Sequence, residues 1–166
     1  MATGQPEWKK LLEQAKPRTK RVRLCLDGEA LAASEDAQAA VDEAQRADMT
    51  STSLSDTGPA RVREAKAAAE AAEAAVDAAS TDFVVKGLPK TQYQKLVAAH
   101  PSTEDDEMWN ADTFPEALVR ACLVEPEVAS DDPLFDVLTP GEADRLFNLA
   151  WQACTTAEPR PLQKRG

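Results

Sequence analysis

The sequence predicts a mostly α-helical protein with an N-terminal alanine-rich helical hairpin, a C-terminal helical bundle and two short strands that can pair. Three observations predict this: alanines recur at helical spacing in two long segments, three Thr-x-x-Glu/Gln boxes mark helix starts, and strand patterns flank the alanine-rich segments. The 166 residues suit one domain, with or without an appendage. Hydrophobic residues make up 43% of the chain but aromatic residues only 5%, so we expect a small core.

The first element is a short helix in a basic arm. Residues 7–16 predict an amphipathic helix that ends before Pro17. Its apolar face consists of Trp8, Leu11 and Leu12. Residues 20–26 then alternate charged and apolar side chains, which predicts a half-buried strand.

Two alanine-rich helices follow this strand. They cover residues 29–48 and 59–79, and the polar segment 50–58 separates them. The apolar positions recur in steps of three and four: Ala33, Ala37, Ala40, Ala44 and Ala47, then Val62, Ala65, Ala69, Ala72, Val76 and Ala79. We expect an antiparallel hairpin in which these two seams face each other. Because alanine buries little area, the hairpin should be mobile or dependent on a partner.

The second half begins with a strand and continues as helices. Residues 81–88 favour a strand, which an antiparallel hairpin would bring beside residues 20–26. The capping boxes pair Thr91 with Gln94, Thr113 with Glu116, and Thr139 with Glu142. The predicted helices cover residues 91–100, 114–123, 133–138 and 140–157. These elements predict four regions: a basic arm at 1–19, a strand and hairpin at 20–80, a compact helical domain at 81–157, and a flexible basic tail at 158–166.

Charge is unevenly distributed along the chain. Residues 1–26 carry seven Lys or Arg and two Asp or Glu, residues 27–158 carry nine and 27, and the formal net charge is -10. This acidic balance predicts that neither nucleic acid nor an anionic membrane is a general partner. The basic arm could pair with an acidic patch of the same protein or of a partner, contact nucleic acid, or simply be solvated. Since no segment suits a membrane span or a signal peptide, we expect a soluble, cytoplasmic protein.

The pattern of chemically active residues predicts no catalysis. His100, the single histidine, ends a predicted helix, where the dipole favours its charged form over a role as general base. The acidic run at 104–107 could hold a hard cation, but it lacks the ligand spacing of an EF-hand and is better interpreted as a solvated loop. Cys122 and Cys154 lie on predicted apolar helix faces, and with Cys25 we expect reduced, mostly structural thiols. We therefore predict no enzyme, no cofactor and no metal site.

Several segments together resemble one protein family. They are FVVKGLP at 83–89, YQKL at 93–96, HP at 100–101, WNADTFPEAL at 109–118, ACLVEPE at 121–127 and LFNLAW at 146–151. In order and spacing they resemble the tail assembly chaperones of long-tailed, siphovirus-type phages that infect actinobacteria. The similarity covers residues 81–157, and LCLDG at 24–28 with the alanine-rich pair resembles the N-terminal part of such proteins.

The resemblance implies a chaperone that acts on another polypeptide. Such a protein binds the tape measure protein, keeps it soluble, helps recruit tail tube subunits and then leaves. It is expected in the host cell cytoplasm and absent from the mature virion, and self-association remains open. In this family a ribosomal frameshift often makes a longer product, and residues 159–166 would fit a linker across that junction. The alternative is a non-catalytic structural or adaptor protein of the phage neck or tail that stays in the virion.

Two surfaces are candidates for partner binding. One is a groove between helices 114–123 and 140–157 that could accept an amphipathic helix. Its candidate residues are Phe114, Leu118, Phe147 and Trp151, together with Trp109 beside the preceding loop. The alternative is that they form the bundle's own core. We favour the core for Leu118 and Phe147, and for Trp109 packed beside Phe114. Whether Phe114 and Trp151 serve the core or the groove stays open. The second surface is the alanine hairpin, whose weak seam could exchange for a helix of the tape measure protein.

Overall fold

The computed structural model describes residues 6–51 and 57–160. Of the described chain, 61% lies in seven helices, and a small three-stranded antiparallel sheet completes the fold. In chain order the elements are α1 (Glu7–Glu13), β1 (Thr19–Cys25), α2 (Gly28–Thr50), α3 (Thr57–Ala78), β2 (Ser80–Lys86), α4 (Lys90–Ala99), α5 (Phe114–Cys122), β3 (Leu123–Glu125), α6 (Leu134–Val137) and α7 (Pro140–Thr155). Most of the predicted loop at 50–58 and of the predicted tail at 158–166 lies outside the described residues. None of the described helices is both long enough and apolar enough to span a membrane.

The sheet has the strand order β1-β2-β3. Beyond one end of the β1–β2 pair the Leu26 N–H donates to the Ala79 carbonyl at 3.3 Å, and beyond the other the Gly87 N–H donates to the Arg18 carbonyl at 2.8 Å. The prediction that residues 20–26 lie beside residues 81–88 is therefore confirmed. The prediction of only two strands is wrong, because β3 adds a third to the free edge of β2.

The third strand is short and follows a helix without a break. Val85 pairs with Leu123 and Val84 with Glu125, with an irregularity in β2 between the two pairs. Leu123 ended the predicted helix 114–123, but the structure ends α5 one residue earlier and gives Leu123 an extended backbone. A three-residue strand offers too few positions for a period-2 pattern to be seen.

Among the described residues, one compact unit is Arg23–Asp82, and those before and after it form the other. This insert holds α2 and α3, which run in opposite directions: Ser34 Oγ donates to Glu73 at 3.2 Å, and Gly58 lies against the Asp48 side chain. At the start of α2, the Asp27 carboxylate accepts two backbone N–H bonds and caps the helix. Only Val41 and Ala44 are buried in α2, and no side chain of α3 is buried.

The predicted seam is correct for α3 and partly wrong for α2. The half-buried positions of α3 include five of the six that the spacing predicted, from Val62 to Val76, and the sixth, Ala79, is half-buried just after the helix ends. In α2 the least exposed positions are Ala30, Ser34, Ala37, Val41 and Ala44, whereas Ala33, Ala40 and Ala47 are exposed. Val41 has more apolar surface to bury than an alanine, and the helix face that contains it is therefore the face that packs.

The other unit contains the larger core. Its largest fully buried side chains are Phe83, Val85, Phe114, Leu118, Val119, Cys122 and Leu146. They come from β2, α5 and α7, and α5 packs against both α7 and α4. Gly87 is required at the end of β2, because a Cβ atom there would collide with the Ala153 carbonyl group of α7. Most of the large apolar side chains of the described chain therefore pack here.

Of the three predicted capping boxes, only the third is formed. The Thr139 hydroxyl accepts from the Glu142 N–H at 3.3 Å, and the Glu142 carboxylate accepts from the Thr139 N–H at 2.8 Å. The box at Thr91 is wrong because α4 starts at Lys90 after Pro89, which places Thr91 inside the helix. The box at Thr113 is wrong because the side chain of this residue makes no capping bond.

Candidate partner-binding site

An aromatic cluster lies at the centre of the predicted site. Phe114 is fully buried, and its ring centroid lies 4.7 Å from that of Trp109 in a tilted arrangement. Three further rings meet it edge-on, namely Tyr93 at 6.1 Å, His100 at 6.3 Å and Phe147 at 6.4 Å. Edge-to-face pairs at such distances add to the stabilisation that burial provides. Phe114 is therefore the side chain around which α4, α5 and α7 are fixed.

Asn110 positions the loop that carries Trp109. Its side-chain oxygen accepts from the N–H groups of Asp112 at 2.9 Å and Thr113 at 3.2 Å, and its own N–H donates to the His100 carbonyl at 2.9 Å. The Thr113 hydroxyl and His100 Nδ1 are hydrogen-bonded at 2.9 Å. These bonds connect the end of α4 to the start of α5 and so hold Trp109 against Phe114. The Thr113 hydroxyl, which the predicted capping box would have used, is bonded to His100 instead.

The five predicted binding residues differ in accessibility. Phe114 and Leu118 are fully buried, so a partner cannot reach them in this conformation. Trp109 and Phe147 are half-buried, and their ring centroids lie 6.4 Å apart. Trp151 is 38% exposed. Burial raises the pKa of Tyr93, and the Trp151 side chain has a smaller effect in the opposite direction. Their role in partner binding remains a prediction, and Trp151 has the most surface to offer.

A second candidate surface is an open groove between α2 and α3, which we call the alanine groove. It encloses about 360 Å³. Its lining residues are Ala40, Glu43, Ala44, Ala47, Arg61, Glu64, Ala65 and Ala68. Five of these eight are alanines, so the floor is apolar and shallow, and the three charged side chains supply its polar groups. A surface of this shape can accept the ridge of another helix.

A third apolar surface lies on α1. Trp8, Leu11 and Leu12 are each more than half exposed, and α1 has no buried residue. The sequence places these three side chains on one helix face, and the structure leaves that face uncovered within the described chain. Lys9 Nζ lies 5.7 Å from the centroid of the Trp8 ring.

Sequence reasoning missed one pair of neighbouring cysteines. The Cys122 and Cys154 sulfur atoms lie 3.6 Å apart, and the Leu88 N–H donates to Cys154 Sγ at 3.3 Å. Both cysteines had been placed on apolar helix faces, but nothing in their spacing shows that α5 and α7 bring them together. No cluster of three or more potential metal ligands occurs in the described residues.

No protein-family model, no curated protein and no solved structure matches the chain.

Proposed function

We propose that the protein is a phage tail assembly chaperone. It binds the tape measure protein, keeps this long helical chain soluble, helps recruit tail tube subunits and then leaves. The observation that carries this proposal is the alanine groove, an open apolar strip on a strongly acidic body. The sequence resemblance to tail assembly chaperones supplies the identity of the client.

The alanine groove suits a helical client for steric reasons. Alanine side chains let a second helix approach closely, and α2 and α3 bury only Val41 and Ala44 between them. Burying one Leu or Phe side chain of the client would stabilise the complex by about 1.5–3 kcal/mol. A strip that takes a few such side chains gives binding strong enough to compete with aggregation and weak enough to be reversed when the tail tube assembles.

The charge of the insert suits a chaperone that must not aggregate with itself. Arg23–Asp82 contains 13 Asp or Glu and five Lys or Arg. Copies of the chain therefore repel one another, while a client helix with basic residues beside its apolar stripe is attracted. Glu43 and Glu64 are placed to meet such residues at the groove.

Trp151 is the second contact in this proposal. It is the most accessible of the five residues selected from the sequence, since Phe114 and Leu118 serve the core. A client segment that covers Trp151 would make a contact separate from the one in the alanine groove.

Co-expression with a tape measure protein tests the proposal. Ala40→Glu with Ala68→Glu introduces two carboxylates at exposed positions of the groove, and we expect the client to move from the soluble to the pelleted fraction. The matched control is Ala39→Glu with Ala67→Glu, which adds the same charge at the neighbouring exposed positions and should keep the client soluble. Equal solubility with both double variants would contradict binding in the groove.

Mass spectrometry of purified virions tests the departure of the protein. A chaperone that leaves should be missing from the particle, whereas a structural neck or tail protein should be present in a fixed ratio to the tube subunit. Stoichiometric presence in the particle would favour the alternative function.

A further inference from the structure

We propose that Cys122 and Cys154 form a reversible intramolecular disulfide when the protein meets a hydroperoxide. The pair is thus an oxidation-sensitive modification site. The inference is independent of the chaperone proposal, since it depends only on the geometry of α5, α7 and the segment that follows β2.

The distance between the two sulfur atoms is the first support. They lie 3.6 Å apart, and a disulfide requires about 2.05 Å, so the two side chains must approach by about 1.5 Å. Cys122 is the last residue of α5, and Cys154 lies in the last turn of α7. Helix ends adjust more easily than helix centres, because their last carbonyl groups have no partner within the helix.

The two thiols differ in accessibility, which assigns them different roles. Cys122 is 1% exposed, whereas Cys154 is only partly buried. An oxidant in solution therefore reaches Cys154 first. Cys122, held in contact with it, is protected from solvent and is placed to react next.

Hydrogen bonding also favours Cys154 as the reactive thiolate. The Cys122 S–H is the main cause that lowers the pKa of Cys154 to about 6, and the Leu88 N–H acts in the same direction against the effect of burial. The hydrogen bond to Cys154, together with burial, raises the pKa of Cys122. Since the thiolate is the nucleophile, the deprotonated Cys154 reacts first, and Cys122 stays protonated until the second step.

The chemistry balances with the hydroperoxide as the only oxidant. The Cys154 thiolate attacks one oxygen of hydrogen peroxide, the O–O bond breaks, and the hydroxide that leaves takes up a proton to become water. Cys154 is now a sulfenic acid. The Cys122 sulfur attacks the sulfenic sulfur, the S–S bond forms, and the sulfenic oxygen leaves as water with the proton of Cys122. Two thiols are oxidised by two electrons, and one peroxide is reduced to two waters.

The disulfide would join the end of α5 to the last turn of α7, beside the segment that follows β2. Cys122 lies at the junction of α5 and β3, Cys154 belongs to α7, and Leu88, two residues after β2, already bonds to the Cys154 sulfur. Cys25 serves as an internal comparison, because its sulfur atom lies 3.5 Å from the Asp27 carbonyl oxygen and not beside another thiol in the described contacts.

Peptide mapping of the full chain after treatment with hydrogen peroxide tests the inference. Trypsin cleaves after Arg120 and Arg145, which places Cys122 and Cys154 in separate peptides, and Cys25 in a third. After alkylation under non-reducing conditions, we expect the Cys122 and Cys154 peptides to be joined with the loss of two hydrogens. The Cys25 peptide should be alkylated, and dithiothreitol should restore both thiols.

Two variants separate the steps. In Cys122→Ala we expect the sulfenic acid at Cys154 to persist long enough for dimedone to trap it, and the midpoint pH of Cys154 alkylation should rise because the S–H donor is gone. Cys25→Ser should leave the disulfide unchanged. Circular dichroism verifies that both variants fold.

The mapping of the unsubstituted chain decides the matter even if a variant misfolds. The inference is overturned if Cys154 proceeds to a sulfinic acid while Cys122 remains a free thiol. It is equally overturned if either cysteine is joined to Cys25 or to a second chain.

Discussion

The insert Arg23–Asp82 and the unit formed by the rest of the chain are stabilised in different ways. The insert contains 19 alanines and no aromatic residue, whereas seven of the eight aromatic residues lie between Phe83 and Trp151. The insert buries two side chains, and the other unit buries a contiguous set around Phe114. Alanine gives helices with high intrinsic propensity and little packing, while the aromatic cluster gives a fixed core. Within one chain, one region is suited to exchange contacts with a partner and the other to hold its shape.

The largest expected effect is on the aromatic unit. Phe114→Ala removes the ring that four others contact, and we expect a loss of about 3–5 kcal/mol in the free energy of unfolding. Urea denaturation followed by near-ultraviolet circular dichroism measures it. Trp8→Ala is the control, because Trp8 is 58% exposed and its loss should change stability by less than about 0.5 kcal/mol. A similar loss in the free energy of unfolding for the two variants would contradict the conclusion that Phe114 is the centre of this core.

A smaller effect is expected in the insert. Val41→Ala removes the largest buried side chain of α2, and we expect a loss of about 1–2 kcal/mol, seen as reduced helicity in the far ultraviolet. The near-ultraviolet signal of the aromatic unit should stay unchanged. If that signal is lost in the same transition, the two units unfold together and the contrast between them is weaker than proposed.

The capping box at the start of α7 allows the contribution of one hydrogen bond to stability to be measured. Thr139→Ala removes the hydroxyl that accepts from the Glu142 N–H, and a loss of about 1 kcal/mol is expected in thermal or urea unfolding. Thr91→Ala is the matched control, since Thr91 lies inside α4 and does not cap it. A larger loss for Thr91→Ala than for Thr139→Ala would reverse the assignment of the helix starts.

A pH dependence is also expected from the thiol pair in its reduced state. The pKa of Cys154 in the folded protein is lowered to about 6, below the ordinary value of about 8.5 for the unfolded chain. The unfolded state therefore binds more protons between these values, and stability rises with pH across that window and is lost as pH falls through about 6. Above about 8.5 the raised pKa of Cys122 acts in the opposite direction.

Comparison of unsubstituted protein and Cys154→Ala under reducing conditions measures this dependence. The difference in melting temperature should widen in favour of the unsubstituted protein from pH 5.5 to pH 8. A difference that is constant over this range would show that Cys154 does not titrate early.

Much of the fold could be predicted from the sequence because local patterns determine it. The start of α7 at Pro140 and the ends of α2 and α3 follow from residues close in the chain. The period-2 pattern predicts β1. The orientation of α2 could not be fixed this way, since the alanine spacing selected Ala40 and left out Val41, and only packing shows that Val41 is the buried one. The box at Thr113 failed because the Asn110 side chain already accepts from the Thr113 N–H. In a capping box the Glu116 carboxylate would have accepted from that N–H.

The candidate site was less accessible to sequence reasoning, because it depends on contacts distant in the chain. Phe114 and Leu118 were selected as apolar residues on a helix, but only the tertiary packing places them in the core. The alanine groove was anticipated as a weak seam, and its lining comes from the fold. The thiol pair joins residues 32 positions apart, and no local pattern predicts such a contact.

The entry and exit of the insert have a consequence for how the protein can vary. The chain leaves β1 at Leu26 and returns at Ala79, where a 3.3 Å hydrogen bond joins the two positions. The two ends of the insert are therefore held side by side, whatever the length of α2 and α3. Adding or removing the same number of turns in α2 and α3 would change the reach of the insert and leave the strand register intact.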